Sequence, residues 1–140
     1  MSVCTAVNCM DGRVQLPTIA FLKARFNVDY VDMITEIAPN LTLGKLTSYS
    51  VLQSVNDRLR LSVERHRSVG IAIVGHYDCT GNPAGKEEQT SHTIAAIKRI
   101  REQHYSHYRD IPIIGLWVDE NWSVSEISMQ EQNGRQAVQH

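Results

Sequence analysis

The chain has 140 residues, 42% of them hydrophobic, which is enough for one globular core and too few for two. Fourteen Lys and Arg against 15 Asp and Glu give a formal charge of -1, without the clustered cationic excess that phosphate binding needs, so nucleic acid is not an expected partner. No apolar run approaches a membrane span, and the opening MSVCTAVNC lacks the basic start and long apolar centre of a secretory leader, so the expectation is a soluble, cytoplasmic protein without a membrane partner.

Residues 2–8 (SVCTAVN) predict a short strand, and LPTIAFLKARF, with Pro17 near its first turn, places Ile19, Leu22 and Phe26 on one helical face. VDYVDMITEIA predicts a second strand stopped by Pro39 and Asn40, after which Leu52, Val55, Leu59 and Val63 recur at helical spacing through to Arg67. SVGIAIVGH is the clearest strand, and EEQTSHTIAAIKRIREQH reads as a helix turning Ile94, Ile97 and Ile100 inward. IPIIGLWV (111–118) is a fourth strand and WSVSEISM a short fifth. Strands alternating with helices predict right-handed crossovers and a three-layer α/β fold, its mainly parallel sheet flanked by helices. A single domain is expected over 1–127, followed by a polar tail at 128–140 with little to bury.

Cys4, Cys9 and Cys79 are too few, and odd in number, for a disulfide framework, which leaves metal binding or thiolate chemistry. Cys9, in NCMDGRVQLP, falls just past the carboxyl end of strand one. His76 and Cys79, in GHYDC, fall just past the carboxyl end of strand three. Those strands can adjoin at the switch point of a doubly wound sheet, where ligands gather. Two thiolates and one imidazole suit Zn2+ and leave its fourth position open, the arrangement of a catalytic zinc. The helix after CTGNP would favour the Cys79 thiolate through its dipole. Asp11 and Arg13 read either as a turn cap and surface pair or as a carboxylate fixed beside the metal. Cys4 reads as a buried apolar residue, and Trp117 and Trp122 as core or interface. Glu36 and Asn40, at the carboxyl end of strand two, read either as residues that could reach the crevice or as part of a turn at Pro39 without a function. His104 and His107 are spaced for one helical turn but sit among polar residues near a helix end, and are expected to be solvated.

On these residues the chain resembles the β-class carbonic anhydrases. Cys9-Met10-Asp11-Gly12-Arg13 is similar to that family's CxDxR motif, and Gly75-His76-Tyr77-Asp78-Cys79 to its GHxxC motif. The resemblance implies zinc held by Cys9, His76 and Cys79, with Asp11 and Arg13 as the catalytic pair and no organic cofactor. It implies a lyase that reversibly hydrates carbon dioxide to bicarbonate by a zinc-bound hydroxide, working as a homodimer or higher homo-oligomer with its pocket near the subunit boundary. Some members of that family have a resting form in which the aspartate at the position of Asp11 takes the fourth zinc position, and the resemblance leaves open whether this chain rests in that form or in the water-bound one. TEIAPN stands where the family usually has Arg-Asn-Ala-Gly, and TGNP where it is usually glycine-rich, as in a compact, divergent member. Two other readings stay open: the same zinc site hydrolysing carbonyl sulfide or carbon disulfide, and a non-catalytic zinc-binding module.

Overall fold

The computed structural model of the protein describes residues 1–104, 108 and 110–128. Strand β1 (Val3–Cys9) is buried at every residue, as its run of small and β-branched side chains between two neighbours requires. A 3₁₀ turn at Gly12–Val14 leads into α1 (Gln15–Phe26), which ends on Asn27 in the left-handed region at φ 53°. Strand β2 (Tyr30–Glu36), at the edge of the sheet, is only partly covered. Then come α2 (Pro39–Lys45) and α3 (Tyr49–Arg65), the latter capped by Ser48, whose hydroxyl accepts from Val51 N. Strand β3 (Ile71–His76) is wholly buried, α4 (Lys86–Gln103) follows, and β4 (Ile113–Val118) and the short β5 (Val124–Glu126) complete the sheet.

The strand order is β2-β1-β3-β4-β5, parallel throughout except for β5. Alternation along the strands separates two cores. Cys4, Ala6, Ala72 and Val74 pack with Val14, Leu22 and Val28 on the α1 face. Val7, Ile71 and Ile73 pack with Leu43, Leu52, Leu59 and Ile100 of α2, α3 and α4 on the other. This is the expected three-layer fold.

Three expectations change. Pro39 and Asn40 do not merely stop β2: proline's fixed φ and missing N–H suit a first helical turn, and the two residues open α2. His104, expected in solvent, is buried, stacks on Tyr108 at 4.5 Å and sets Nε2 3.0 Å from Asn56 Oδ1. Its partner in the proposed spacing, His107, lies outside the described residues, as does the polar tail beyond Ser128. Finally, α4 buries Gln89, Thr90, His92 and Thr93 alongside Ala96 and Ile100, so the inward face of its first half is polar. No helix among the described residues is long and apolar enough to cross a membrane.

A buried polar cluster lies near the amino end of β1. Thr5 Oγ1 sits 2.6 Å from Ser62 Oγ and donates to Ser68 Oγ at 2.7 Å, and Ser68 Oγ donates to Gly70 O at 2.9 Å. Ser62 Oγ also reaches Asp32 Oδ2 at 2.7 Å, which His66 Nδ1 meets at the same distance.

Candidate metal centre

Strands β1 and β3 are neighbours, but their shared register ends at Val7↔Ile73. Beyond it β1 stays with β2 as far as Cys9↔Glu36, and β3 stays with β4 as far as His76↔Val118. The parting strands open a crevice at the switch point, and Cys9 and His76 are the last residues of the two strands that flank it.

The ligating atoms of Cys9, His76 and Cys79 all lie within 4.8 Å of one another, and all three residues are buried. His76 Nδ1 donates to Tyr77 O at 2.7 Å, which leaves the lone pair on Nε2. That Nε2 is buried without a hydrogen-bond partner. A buried imidazole nitrogen left bare beside two sulfurs is a polar debt that protein atoms do not settle and that a borderline cation such as Zn2+ would.

Hydrogen bonding from Cys79 pulls the Cys9 thiol down to about 4, helped by His76 and by the backbone amides of Ala38 and Asp11. Cys79 is pushed up in turn by the Cys9 sulfur and by burial, against the opposing pull of the Asn82 and Gly81 amides. The two sulfurs thus act on one another in opposite directions, Cys9 lowered and Cys79 raised. For His76 burial works against the charged ring, but the Cys9 sulfur, the Tyr77 carbonyl and Asp11 outweigh it and raise its pKa. Helix α4 begins only at Lys86, and it is the Asn82 and Gly81 amides of the intervening loop that oppose the rise at Cys79.

Ala38 lies in the unusual TEIAPN segment. It adopts φ 46°, a left-handed conformation costing a non-glycine residue about 1–3 kcal/mol, and its amide is one of those that lower Cys9. Asp78, between His76 and Cys79, is left-handed as well, at φ 57°.

Asp11 and Arg13 form a two-pronged pair. Arg13 Nε donates to Asp11 Oδ1 at 3.0 Å and Nη2 to Oδ2 at 2.7 Å, while the backbone Arg13 N donates to Oδ1 at 2.9 Å. Asp11 is thus both turn cap and guanidinium partner, and Arg13 holds its carboxyl down at about 2. The same guanidinium reaches Asp78 Oδ2 at 3.2 Å and Asp78 O at 3.1 Å, tying the loop after β1 to the loop after β3. The β4–β5 hairpin adds a third contact: Trp122, left-handed at φ 59°, lies over Arg13 with 4.6 Å between guanidinium carbon and ring centroid. Asp119 Oδ1 holds that turn by accepting from Asn121 N and Ser123 N, both at 2.9 Å.

Of the other sequence candidates, Glu36 pairs with Arg58 of α3 and does not join the cluster. Cys4 is fully buried, its thiol pushed up to about 11 by burial, and Trp117 belongs to the core. Asn40 is buried in an amide cluster beneath His76, with Asn82 Nδ2 3.4 Å from its Oδ1 and its own Nδ2 3.3 Å from Gln89 Oε1. Sequence reasoning missed Asp78, Asn82 and Gln89. Asp78 alone carried a signal, its place inside the GHYDC motif.

A doubly wound sheet in this strand order, with a Cys-His-Cys triad at its switch point, defines the β-carbonic anhydrase class of fold. Solved structures agree. The β-carbonic anhydrase isoform I of Trichomonas vaginalis superposes with a TM-score of 0.53 over 88% of this chain and 81% of its own, at 16% identity. The Sordaria macrospora structure of two tetrameric β-carbonic anhydrases gives 0.54 over 91% and 80%, at 14% identity. The β-carbonic anhydrase CcaA gives 0.55 over 91% and 81%, at 12% identity. At such identities the likeness establishes the fold. No curated protein matches the sequence. The family follows from the sequence itself: residues 1–128 match the model described as "Putative carbonic anhydrase", and the chain belongs to that family.

Proposed function

We propose that the protein is a zinc-dependent carbonic anhydrase, interconverting carbon dioxide plus water with bicarbonate plus a proton, and that Cys9 Sγ, His76 Nε2 and Cys79 Sγ hold the zinc. The observation that carries this reading is the bare, buried His76 Nε2 beside two sulfurs. A zinc ion with three protein ligands acidifies water in its remaining position enough to supply a nucleophile near neutral pH.

The chain's own residues prepare the rest. Asp11 Oδ1 already accepts two hydrogen bonds, from Arg13 N and Nε, whereas Oδ2 accepts one. Oδ2 keeps a lone pair that can accept a hydrogen bond from the attacking oxygen and so aim that oxygen's own lone pair at the carbon. Arg13 keeps the carboxylate ionised and, by engaging both oxygens, holds it in the open position rather than on the metal. Met10, Ile37 and Tyr77, each directly after a strand end, are 63%, 64% and 48% exposed and offer an apolar rim suited to a small uncharged substrate. Within this reading the working domain is 1–127 and the working unit a homodimer that covers part of that rim. A tetramer is what the Sordaria relatives are described as.

The test is stopped-flow hydration of carbon dioxide by the zinc-loaded protein, run beside hydrolysis of carbonyl sulfide and carbon disulfide. Hydration well above the buffer rate supports the reading. Turnover of the sulfur compounds alone moves the substrate to that class, and no turnover of any leaves a zinc-binding module. Sedimentation showing an active, stable monomer would remove the homodimer.

A further inference from the structure

Strand β3 alternates its bonding edge. Ile71 N donates to Pro112 O, just before β4, at 2.9 Å and Tyr77 N to Val118 O of β4 at 2.8 Å, so His76, one residue out of phase, turns its main-chain N–H and C=O toward β1. The β1–β3 ladder has already ended at Val7↔Ile73. The opening of the crevice thus strips the strand partner from the residue whose imidazole faces Cys9 and Cys79.

A side chain of α4 takes the strand's place. Gln89 Oε1 accepts from His76 N at 3.2 Å and Gln89 Nε2 donates to His76 O at 2.8 Å, so one carboxamide makes both bonds of an absent peptide group. Its orientation is determined: Nε2 faces three carbonyls, adding Asn82 O and Ala84 O at 3.1 Å each, and Oε1 faces Asn40 Nδ2 at 3.3 Å. Asn40 is oriented in turn, its Oδ1 accepting from Leu41 N at 2.9 Å. Gln89 is 1% exposed. The cluster also accounts for the glycine of the GHYDC motif: a Cβ on Gly75 would lie 2.8 Å from Asn40 Nδ2 and 3.1 Å from Gln89 Oε1.

We propose that Gln89 is a positioning residue for His76, holding its main chain so that Nε2 stays on the two sulfurs, and that Asn40 sets the orientation of Gln89. The proposal rests on His76 being a zinc ligand. It gives the polar face of α4 and the Asn40 of TEIAPN a purpose at the metal centre.

Zinc affinity by chelator competition, the visible spectrum of the cobalt(II)-substituted protein, and the thermal midpoint of the metal-free protein are measured for wild type, His76→Ala, Gln89→Leu, Gln89→Glu and Thr93→Val. Gln89→Leu leaves both His76 groups unpaired, and Gln89→Glu turns an acceptor on three carbonyls. Both are expected to lose about 10- to 100-fold in zinc affinity, as outer-shell changes do, and to alter the cobalt bands. Thr93→Val removes a hydroxyl 3.2 Å from Asn40 Nδ2 that does not touch His76, and is expected to lower the midpoint while leaving affinity and spectrum as in wild type. Gln89→Met, similar in length, replaces either Gln89 variant that fails to fold. Wild-type affinity and spectrum in the Gln89 variants overturn the proposal, as does a loss in Thr93→Val that matches theirs. If His76→Ala binds zinc as wild type does, the ligand assignment fails first and the proposal with it.

Discussion

The two ends of β1 each bury a polar cluster, and the clusters differ in what they leave over. At the amino end, Thr5, Ser62, Ser68, Asp32 and the Gly70 carbonyl answer one another, with three hydroxyl protons spread over four oxygen contacts. At the carboxyl end two sulfurs and a bare imidazole nitrogen are assembled with no protein partner for the nitrogen. Backbone strain divides the same way. Of the six non-glycine residues at positive φ among the described residues, Asn27 and Leu46 cap α1 and α2 and Arg67 follows the end of α3, which are ordinary places for such a residue. Ala38, Asp78 and Trp122 cap no helix end of that kind, and each touches the Cys9, His76, Cys79, Arg13 constellation. One cluster closes a core; the other keeps strain and an unmet bond for something the chain does not itself contain.

The strongest way to break this contrast is to remove a donor. His76→Ala or Cys79→Ala is expected to lose most of its zinc on dialysis, read by elemental analysis, and full occupancy in Cys79→Ala would leave the carboxyl-end cluster no more special than the other. Asp11→Asn should keep its zinc and lose about 10²-fold or more in hydration rate, because an amide can turn a donor where Oδ2 offers a lone pair. A wild-type rate by stopped flow would deny Asp11 its part. The amino-end cluster should respond in the opposite sense. Thr5→Val removes two contacts but leaves Ser62 its Asp32 and Ser68 its Gly70 carbonyl, so urea unfolding should show a loss of about 1–2 kcal/mol with zinc affinity unchanged.

The smallest effect sharpens the comparison through pH. His92, 6% exposed and with Nδ1 3.0 Å from Asn82 Nδ2, has its pKa lowered chiefly by burial. Below its ordinary value of 6.5 the unfolded chain binds more protons there than the folded one, so stability falls as pH drops through that range and is indifferent to His92 above it. Replacing His92 by Gln should flatten this acid slope in denaturation curves, and an unchanged slope would place the proton uptake elsewhere.

How far the sequence could be read depends on where the information lies. Cys9, Asp11, Arg13, His76 and Cys79 stand next to strand ends, and apolar periodicity locates strand ends well, so the crevice and its donors were legible. Helix α2 was not, since seven residues are too few for a periodic pattern and its opening Pro39-Asn40 also spells a turn. Gln89 was hidden differently: in KEEQTSH every residue is polar or small, and only the packing of α4 against α2 and β3 determines which of them turn inward. TEIAPN departs from the family's usual stretch. Its contribution runs through a main-chain amide at Ala38 and a buried amide at Asn40, neither of which residue type announces.

The seat of Trp122 on Arg13 gives the protein an optical readout of its own. Its other indole, Trp117, is shut in the core and should emit as a constant background, whereas the half-buried Trp122 lies against the cation that joins the loops after β1 and β3. Any rearrangement that frees the guanidinium changes the surroundings of one fluorophore and not the other. Movement of these loops, on a stopped-flow timescale and without an attached label, therefore becomes a change in the colour and intensity of tryptophan emission.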